Sequence, residues 1–147
     1  MRRTILLGTA LLVWPGLVLA ADPIGQVKTS SGVVQVNRGS APEALKVGDR
    51  VFQSDTVTTG DDGAVGLTFD DNSMMTLGPS SELVLDQFKF NTTTHAGTFE
   101  SSLHKGTLAV KSGQIVQQTA EAMRVRTPTA ILGVRGTEFL VRADGGK

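Results

Sequence analysis

The chain has two histidines and no cysteine, so it has no thiolate that could act as nucleophile or metal ligand and only two imidazoles that could act as base. His95 stands in a run of threonines, which is typical of an exposed loop, and His104 stands where we expect the end of a strand to face solvent. A Ser-His-Asp site requires its members only to meet in space, but the Gly-x-Ser-x-Gly motif that presents such a serine is missing. We therefore expect no catalytic residue, no metal site and no cofactor.

Two acidic turns, at residues 60–63 and 70–73, contain oxygen ligands of the kind that Ca²⁺ prefers. The second turn lacks the alternating acidic spacing of a calcium-binding loop. Asp and Asn side chains also form turns on their own, because they hydrogen-bond to the backbone two residues on. We interpret both stretches as hairpin turns.

A third polar group, residues 133–137, combines two glycines, an arginine and a hydroxyl. Successive N–H groups at such a turn can bind an anion, but Glu138 adds negative charge beside it. The favoured interpretation is structural. Gly133 and Gly136 allow a positive φ or a close backbone approach, and Arg135 forms an internal ion pair or caps backbone carbonyls.

The uncharged stretch at residues 127–134 is the most apolar part of the chain after its N-terminus. Two interpretations compete for it. It is either a buried strand pair or crossing segment, or it is an apolar ledge that binds a partner. Because apolar side chains are most often found inside a fold, burial is the favoured prediction.

The N-terminus has the pattern of an export signal. Arg2 and Arg3 precede an apolar run over residues 5–13, and residues 18–20 fit a cleavage site. This predicts a signal peptide over residues 1–20. The alternative is an uncleaved anchor, since the uncharged stretch approaches the length of about 20 residues that spans a membrane. Either interpretation places the remainder across the inner membrane, in the periplasm.

The charge of the chain is balanced, with 14 basic and 14 acidic side chains. Removal of residues 1–20 would leave 12 basic side chains and a net charge of −2, which gives no basic surplus for nucleic acid. The length favours a single domain over residues 21–147, with a core over about residues 24–141.

After the N-terminus the chain shows short segments of period-two alternation separated by turn residues. Val65, Leu67 and Phe69 share one face, for example, and Gly106 is one of the glycines that indicate turns. Alternation with one apolar face is typical of half-buried antiparallel strands. This predicts an all-β fold, either a jelly-roll-like sandwich or a barrel. Residues 114–123 alone have helical spacing, and we expect a short helix or a loop there.

One predicted strand changes phase. Leu83 and Leu85 set one face, whereas Phe88 and Phe90 set the opposite one. A phase change inside a strand requires a bulge or bend, here near residues 86–87. Strands that bend in this way commonly pass from one sheet to another, and we expect this strand to do so.

Four stretches carry motifs in a recognisable order. They are L-K-V-G-D-R-V at 45–51, S-D-T-V-T-T-G at 54–60, D-D-N-S-M-M-T-L-G-P-S-S at 70–81 and T-P-T-A-I-L-G-V-R-G-T-E-F at 127–139. Together they resemble the FecR domain, the periplasmic domain of the ferric-citrate regulator family. The resemblance covers about residues 24–141.

The resemblance implies an all-β periplasmic domain, either a jelly roll or a twisted β-solenoid, of about ten or more short strands. In the regulators of that family, a cytoplasmic segment contacts a sigma factor and the periplasmic domain reads the state of an outer-membrane transporter. This chain departs from that plan, because its uncharged N-terminal stretch begins at residue 4 and its sequence ends six residues after Val141. We expect a stand-alone secreted form.

The function we expect is that of a non-enzymatic interaction or signalling module that binds an envelope protein, by strand addition or by an apolar ledge. The alternative is a small-ligand or glycan-binding domain, which is weakened because the chain has no Tyr and its one Trp lies in the predicted signal peptide. The residues we single out for shaping the fold or contacting the partner are Thr127, Pro128, Gly133, Arg135, Gly136, Thr137, Glu138 and Phe139.

Overall fold

The computed structural model describes Gly16 and residues 20–145. The predicted signal peptide lies outside the described residues except for Gly16 and Ala20, so it stays a prediction. No helix within the described part is long and apolar enough to cross a membrane.

The described residues form twelve strands and one short helix, which confirms the all-β prediction. In chain order the elements are β1 (Gly25–Ser31), β2 (Val34–Asn37), β3 (Glu43–Ala44), β4 (Arg50–Val51), β5 (Thr56–Thr59), β6 (Ala64–Phe69), β7 (Met74–Leu77), β8 (Glu82–Phe90), β9 (Gly97–Lys111), α1 (Gln114–Gln118), β10 (Met123–Arg126), β11 (Ile131–Gly133) and β12 (Glu138–Ala143).

The strands form one curled sheet whose two halves share the long strand β9. The half that we call sheet A has the order β4-β1-β6-β7-β9-β12. The other half, sheet B, has the order β3-β2-β5-β8-β9-β10-β11. All of these neighbouring strands pair antiparallel except β9 and β10, which run parallel to each other. A parallel pair requires a crossover connection, and α1 provides it.

The change from one half to the other takes place in β9, not in β8. The predicted bulge in β8 is confirmed between Val84 and Gln87, but the prediction that this strand changes sheets is wrong, because β8 lies between β5 and β9 within sheet B. The sequence indicates a turn at Gly106, yet β9 continues through it with φ +94°. A Cβ on Gly106 would lie 2.5 Å from the Cα of Ser81, so the bend requires glycine.

The core lies between the two halves of the sheet. Residues at the predicted inward positions are buried, including Leu67 and Phe69 of β6 and Leu103 of β9. Phe69 of sheet A meets Phe99 of sheet B edge to face, with ring centroids 4.6 Å apart. Phe88 packs on the same Phe99 ring at 5.0 Å. The period-two pattern therefore identifies the faces that close the core.

The acidic turn between β6 and β7 has a second role. The carboxylate of Asp71, which is fully buried, accepts a hydrogen bond from the Ser73 N–H at 3.0 Å, as expected for a turn. It also accepts one from the Ile115 N–H of α1 at 3.4 Å, and the Asp71 carbonyl accepts another from Gln114 at 2.8 Å. Asp71 thereby fixes the start of α1, which confirms a short helix in the first half of residues 114–123.

Candidate functional site

The segment that carries most of the singled-out residues, 127–139, joins the last strands of the two sheets. We call it the signature segment. It follows β10, contains β11 at the edge of sheet B, and enters β12 at the edge of sheet A. Both β10 and β12 pair with β9, so the segment lies along one margin of the domain.

The first part of the signature segment is a tight turn between β10 and β11. The Thr127 N–H donates to the Ala130 carbonyl at 2.8 Å, and the Ala130 N–H donates to the Thr127 Oγ1 at 3.1 Å. Pro128 occupies the second position of the turn, where its fixed φ favours the bend. Thr127 and Pro128 therefore shape the hairpin.

The next part is exposed, and the prediction that residues 127–134 are buried is wrong. Ile131 is 64% exposed and Leu132 is 38% exposed, while Val134 is buried. The reason is topological, because β11 is three residues long and pairs only with β10 among the described strands. An edge strand receives cover from one side only.

The free side of β11 presents unpaired backbone groups. Thr127 pairs directly with Ala130, and the Val134 N–H donates to the Met123 carbonyl at 2.9 Å. Since hydrogen-bonding direction alternates along a strand, the N–H and C=O groups of Ile131 and Gly133 point away from β10. The backbone of these two residues is therefore open to another strand.

The two glycines of the signature segment differ. Gly136 has φ +96°, which confirms the prediction for that position. Gly133 has no positive φ, and a Cβ there would lie 3.4 Å from the Glu121 Cγ, at the edge of ordinary contact. The prediction of special backbone geometry is therefore wrong for Gly133, which is an ordinary edge-strand residue.

Arg135 forms the predicted ion pair, on the surface of the domain. Its Nε donates to the Glu121 Oε1 at 2.8 Å, and the two side chains are 74% and 50% exposed. Glu121 was not singled out by the sequence, because nothing near it in the chain marks it as a partner for Arg135. The turn that follows is fixed by Ser112, whose hydroxyl donates to the Gly136 carbonyl at 2.6 Å and whose N–H donates to the Thr137 carbonyl at 2.8 Å.

The last part of the segment enters sheet A. Glu138 is exposed, and its Oε1 lies 3.9 Å from the Nζ of Lys111 on the neighbouring strand β9. Phe139 is half-buried against the core. Leu140, just beyond the segment, is 70% exposed. The outer face here has a shallow depression of about 500 Å³, lined by Met74, Thr76, Ala109, Val110, Lys111, Glu138, Phe139 and Leu140.

The histidines are exposed, as the sequence predicts, but His104 lies in the middle of β9 and not at the end of a strand. His95 lies in the loop before β9. His104 Nδ1 lies 2.8 Å from the Glu82 Oε1, and the His95 ring stacks on Phe90. Within residues 20–145, neither imidazole is hydrogen-bonded to a serine hydroxyl, and no group of three acidic or imidazole side chains is placed to hold a metal ion.

The comparison with protein families agrees with the resemblance of the motifs. The model of the family described as FecR protein matches residues 55–147, which include the whole signature segment. No curated protein and no solved structure matches the chain. The FecR family is a signalling and regulatory family of the cell envelope. The match spans more than half of the sequence, and the chain therefore belongs to the FecR family.

Proposed function

We propose that the protein is an exported, non-enzymatic FecR-type domain that binds an envelope protein at the edge of β11. The observation that carries the proposal is the exposure of Ile131 and Leu132 on β11, a strand with one free edge in the middle of the signature segment. A monomer gains no stability from apolar side chains held in water, and an apolar edge strand promotes unwanted pairing. A partner that covers this edge accounts for both features.

The chemistry of the edge favours strand addition. The outward N–H and C=O groups of Ile131 and Gly133 supply backbone hydrogen bonds, and the Ile131 side chain supplies an apolar anchor. On the same face, Arg126 lies across from Ile131 and Arg124 lies across from Gly133. Arg126 forms an ion pair with Glu100 of β9, with 3.7 Å between its Nη2 and the Glu100 Oε2. An extended segment with apolar side chains and acidic residues is therefore the partner that best complements this edge.

Export is supported by the residues of the N-terminus. Arg2 and Arg3 followed by the apolar run fit a signal peptide. The intact mass of the protein purified from its own cells tests this. We expect the mass of residues 21–147, in the periplasmic fraction. The mass of the whole chain, in the cytoplasmic fraction, would contradict export.

Binding is tested by cross-linking and capture of a tagged chain in its own cells. Ile131→Thr removes the apolar anchor and keeps a β-branched residue in the strand. Val47→Thr is the matched control, because Val47 is 61% exposed and lies in a turn outside the signature segment. We expect one envelope protein to be captured by the wild type and by Val47→Thr, and to be lost with Ile131→Thr.

Two results would contradict the proposal. One is equal capture by the wild type and Ile131→Thr, which would move the interface away from β11. The other is failure of the folded wild type to capture any protein. Circular dichroism of each variant shows that it is folded.

A further inference from the structure

The domain has a second free edge on the same margin, along β12. This strand pairs with β9 and with no other strand of the described chain. The Ser112 N–H, just after β9, donates to the carbonyl of Thr137, which lies directly opposite Ser112 just before β12. Because bonding direction alternates, Phe139 and Val141 also direct their backbone groups to β9. The N–H and C=O groups of the even-numbered residues point to the open edge.

The even-numbered residues of β12 also share the outer face. They are Glu138, Leu140 and Arg142, and all three are exposed. Val141 and Ala143, between and after them, are buried. The open edge thus presents an acidic, an apolar and a basic side chain in order, with the apolar one 70% exposed in the centre.

We propose that two copies of this chain associate by antiparallel pairing of β12 with β12 about a two-fold axis. In the register centred on Leu140, that residue lies opposite Leu140 of the second copy. Glu138 then lies opposite Arg142 of the second copy, and Arg142 opposite Glu138 of the second copy. All of these residues direct their backbone groups to the shared edge, so the backbone bonds and the side-chain pairs agree in a single register.

Other registers fail on the same criteria. A shift by one residue places outward-facing side chains opposite buried ones. A shift by two residues in one direction places Leu140 opposite Glu138 of the second copy. The shift in the other direction places Leu140 opposite Arg142 of the second copy and Glu138 opposite Asp144 of the second copy. Each replaces an apolar or oppositely charged pair by an apolar–charged or like-charged one. The sequence of β12 is therefore complementary to itself in one register only.

The expected association is weak. One short strand and its side chains bury much less than the roughly 1,600 Å² of a stable complex, so the dimer should form at high protein concentration. Pairing would join sheet A of both copies into one sheet and shield the exposed Leu140. This inference goes beyond the proposed function and does not depend on it, because it rests on the edge of β12 and not on that of β11.

Sedimentation equilibrium of the purified chain over residues 21–147, from about 10 μM to about 1 mM, tests the proposal. We expect the dimer fraction of the wild type to rise over this range. Glu138→Arg places Arg against Arg142 of the second copy, and Arg142→Glu places Glu against Glu138 of the second copy. Because each change acts twice in a two-fold dimer, we expect either variant to weaken association at least about fivefold. The double variant should restore it to within about twofold.

Two further variants separate the edges. Leu140→Thr should weaken association, while Ile131→Thr should leave it unchanged. A wild type that remains monomeric up to about 1 mM would overturn the proposal, as would a dimer that ignores the charge reversals or a double variant that fails to recover.

The register has a direct test that does not depend on charge. The chain has no cysteine, so Leu140→Cys introduces a single thiol. In the proposed register the two Cα atoms of residue 140 are about 5.5 Å apart, within the range of a disulfide. Arg142→Cys is the matched control, because its two copies would be about 14 Å apart along the strands. Under mild oxidation we expect cross-linked dimer from Leu140→Cys and little from Arg142→Cys. The opposite ratio would overturn the register.

Discussion

Two regions of the molecule carry motifs of the FecR family, and the fold uses them differently. Residues 45–60, which we call the aspartate segment, contain two turns of the same construction. The Asp49 N–H donates to the Lys46 carbonyl at 3.0 Å, and the Asp49 carboxylate accepts from the Lys46 N–H at 2.8 Å. Asp55 repeats both bonds with Phe52, at 3.2 Å and 2.9 Å. Each of the two aspartates closes a turn in the same way, which explains why the segment contains both.

The aspartate segment is also tied to the core by the ion pair of its buried Asp55, whereas the signature segment reaches the core only through Val134 and Phe139. Asp55 is buried and accepts two bonds from Arg38, at 3.0 Å and 3.2 Å, and its neighbour Val57 is fully buried. In the signature segment Val134 alone is fully buried, and Phe139 is half-buried. Folding therefore accounts for the first motif but leaves the exposed, apolar part of the second without a structural cause. That remainder is the surface that the proposed partner would cover.

The largest effect should follow from Asp55→Ala. The change removes the ion pair with Arg38 and the bond to the Phe52 N–H from a side chain that is 3% exposed. Because Arg38 is 37% exposed and can recover water, we expect a loss of about 2–3 kcal/mol of unfolding free energy. Urea unfolding measures it.

Asp49→Ala is the matched control for this prediction. It opens the equivalent turn, but Asp49 is exposed, so we expect a loss of about 1 kcal/mol or less. Equal losses from the two variants would mean that the turn bonds matter and the burial of Asp55 does not.

A smaller effect should follow from Gly136→Val in the signature segment. A Cβ at Gly136 meets no atom within 4 Å, so the cost comes from its φ of +96° alone. A β-branched residue in that conformation should cost about 2 kcal/mol. Gly133→Val is the control, because Gly133 has strand geometry and valine favours strands; we expect its cost to be under about 1 kcal/mol. Thermal unfolding of both variants checks this, and equal melting temperatures would contradict it.

The sequence predicts the strands well because alternation is a local property. Leu67 and Phe69 repeat every second residue, and the structure places both in the core. The same local logic gives the wrong result for Ile131, since an apolar run indicates burial whether or not another element covers it. What covers a strand depends on its neighbours in the sheet, and β11 has only one among the described strands.

Long-range pairings could not be predicted for the same reason. The partners of Asp71 and Arg135 are the N-terminus of α1 and Glu121, which lie 44 and 14 residues away in the chain. The continuation of β9 through Gly106 could not be predicted either, because a glycine between two alternating stretches indicates a turn when the sheet order is unknown. The motifs of the signature segment therefore located the candidate site, while its exposure had to come from the structure.

The smallest effect should follow from Arg135→Ala. Arg135 and Glu121 are both largely in water, and exposed ion pairs contribute about 0.5 kcal/mol or less. Arg38→Ala is the control, because it leaves the buried Asp55 without its ion-pair partner; we expect a loss of about 2 kcal/mol or more. If Arg135→Ala destabilised the protein as much as Arg38→Ala, the signature segment would be held by its charges and the contrast between the two segments would fail. If Arg135→Ala keeps its melting temperature and loses the captured partner, the arginine acts at the interface, because folding would then place no demand on it.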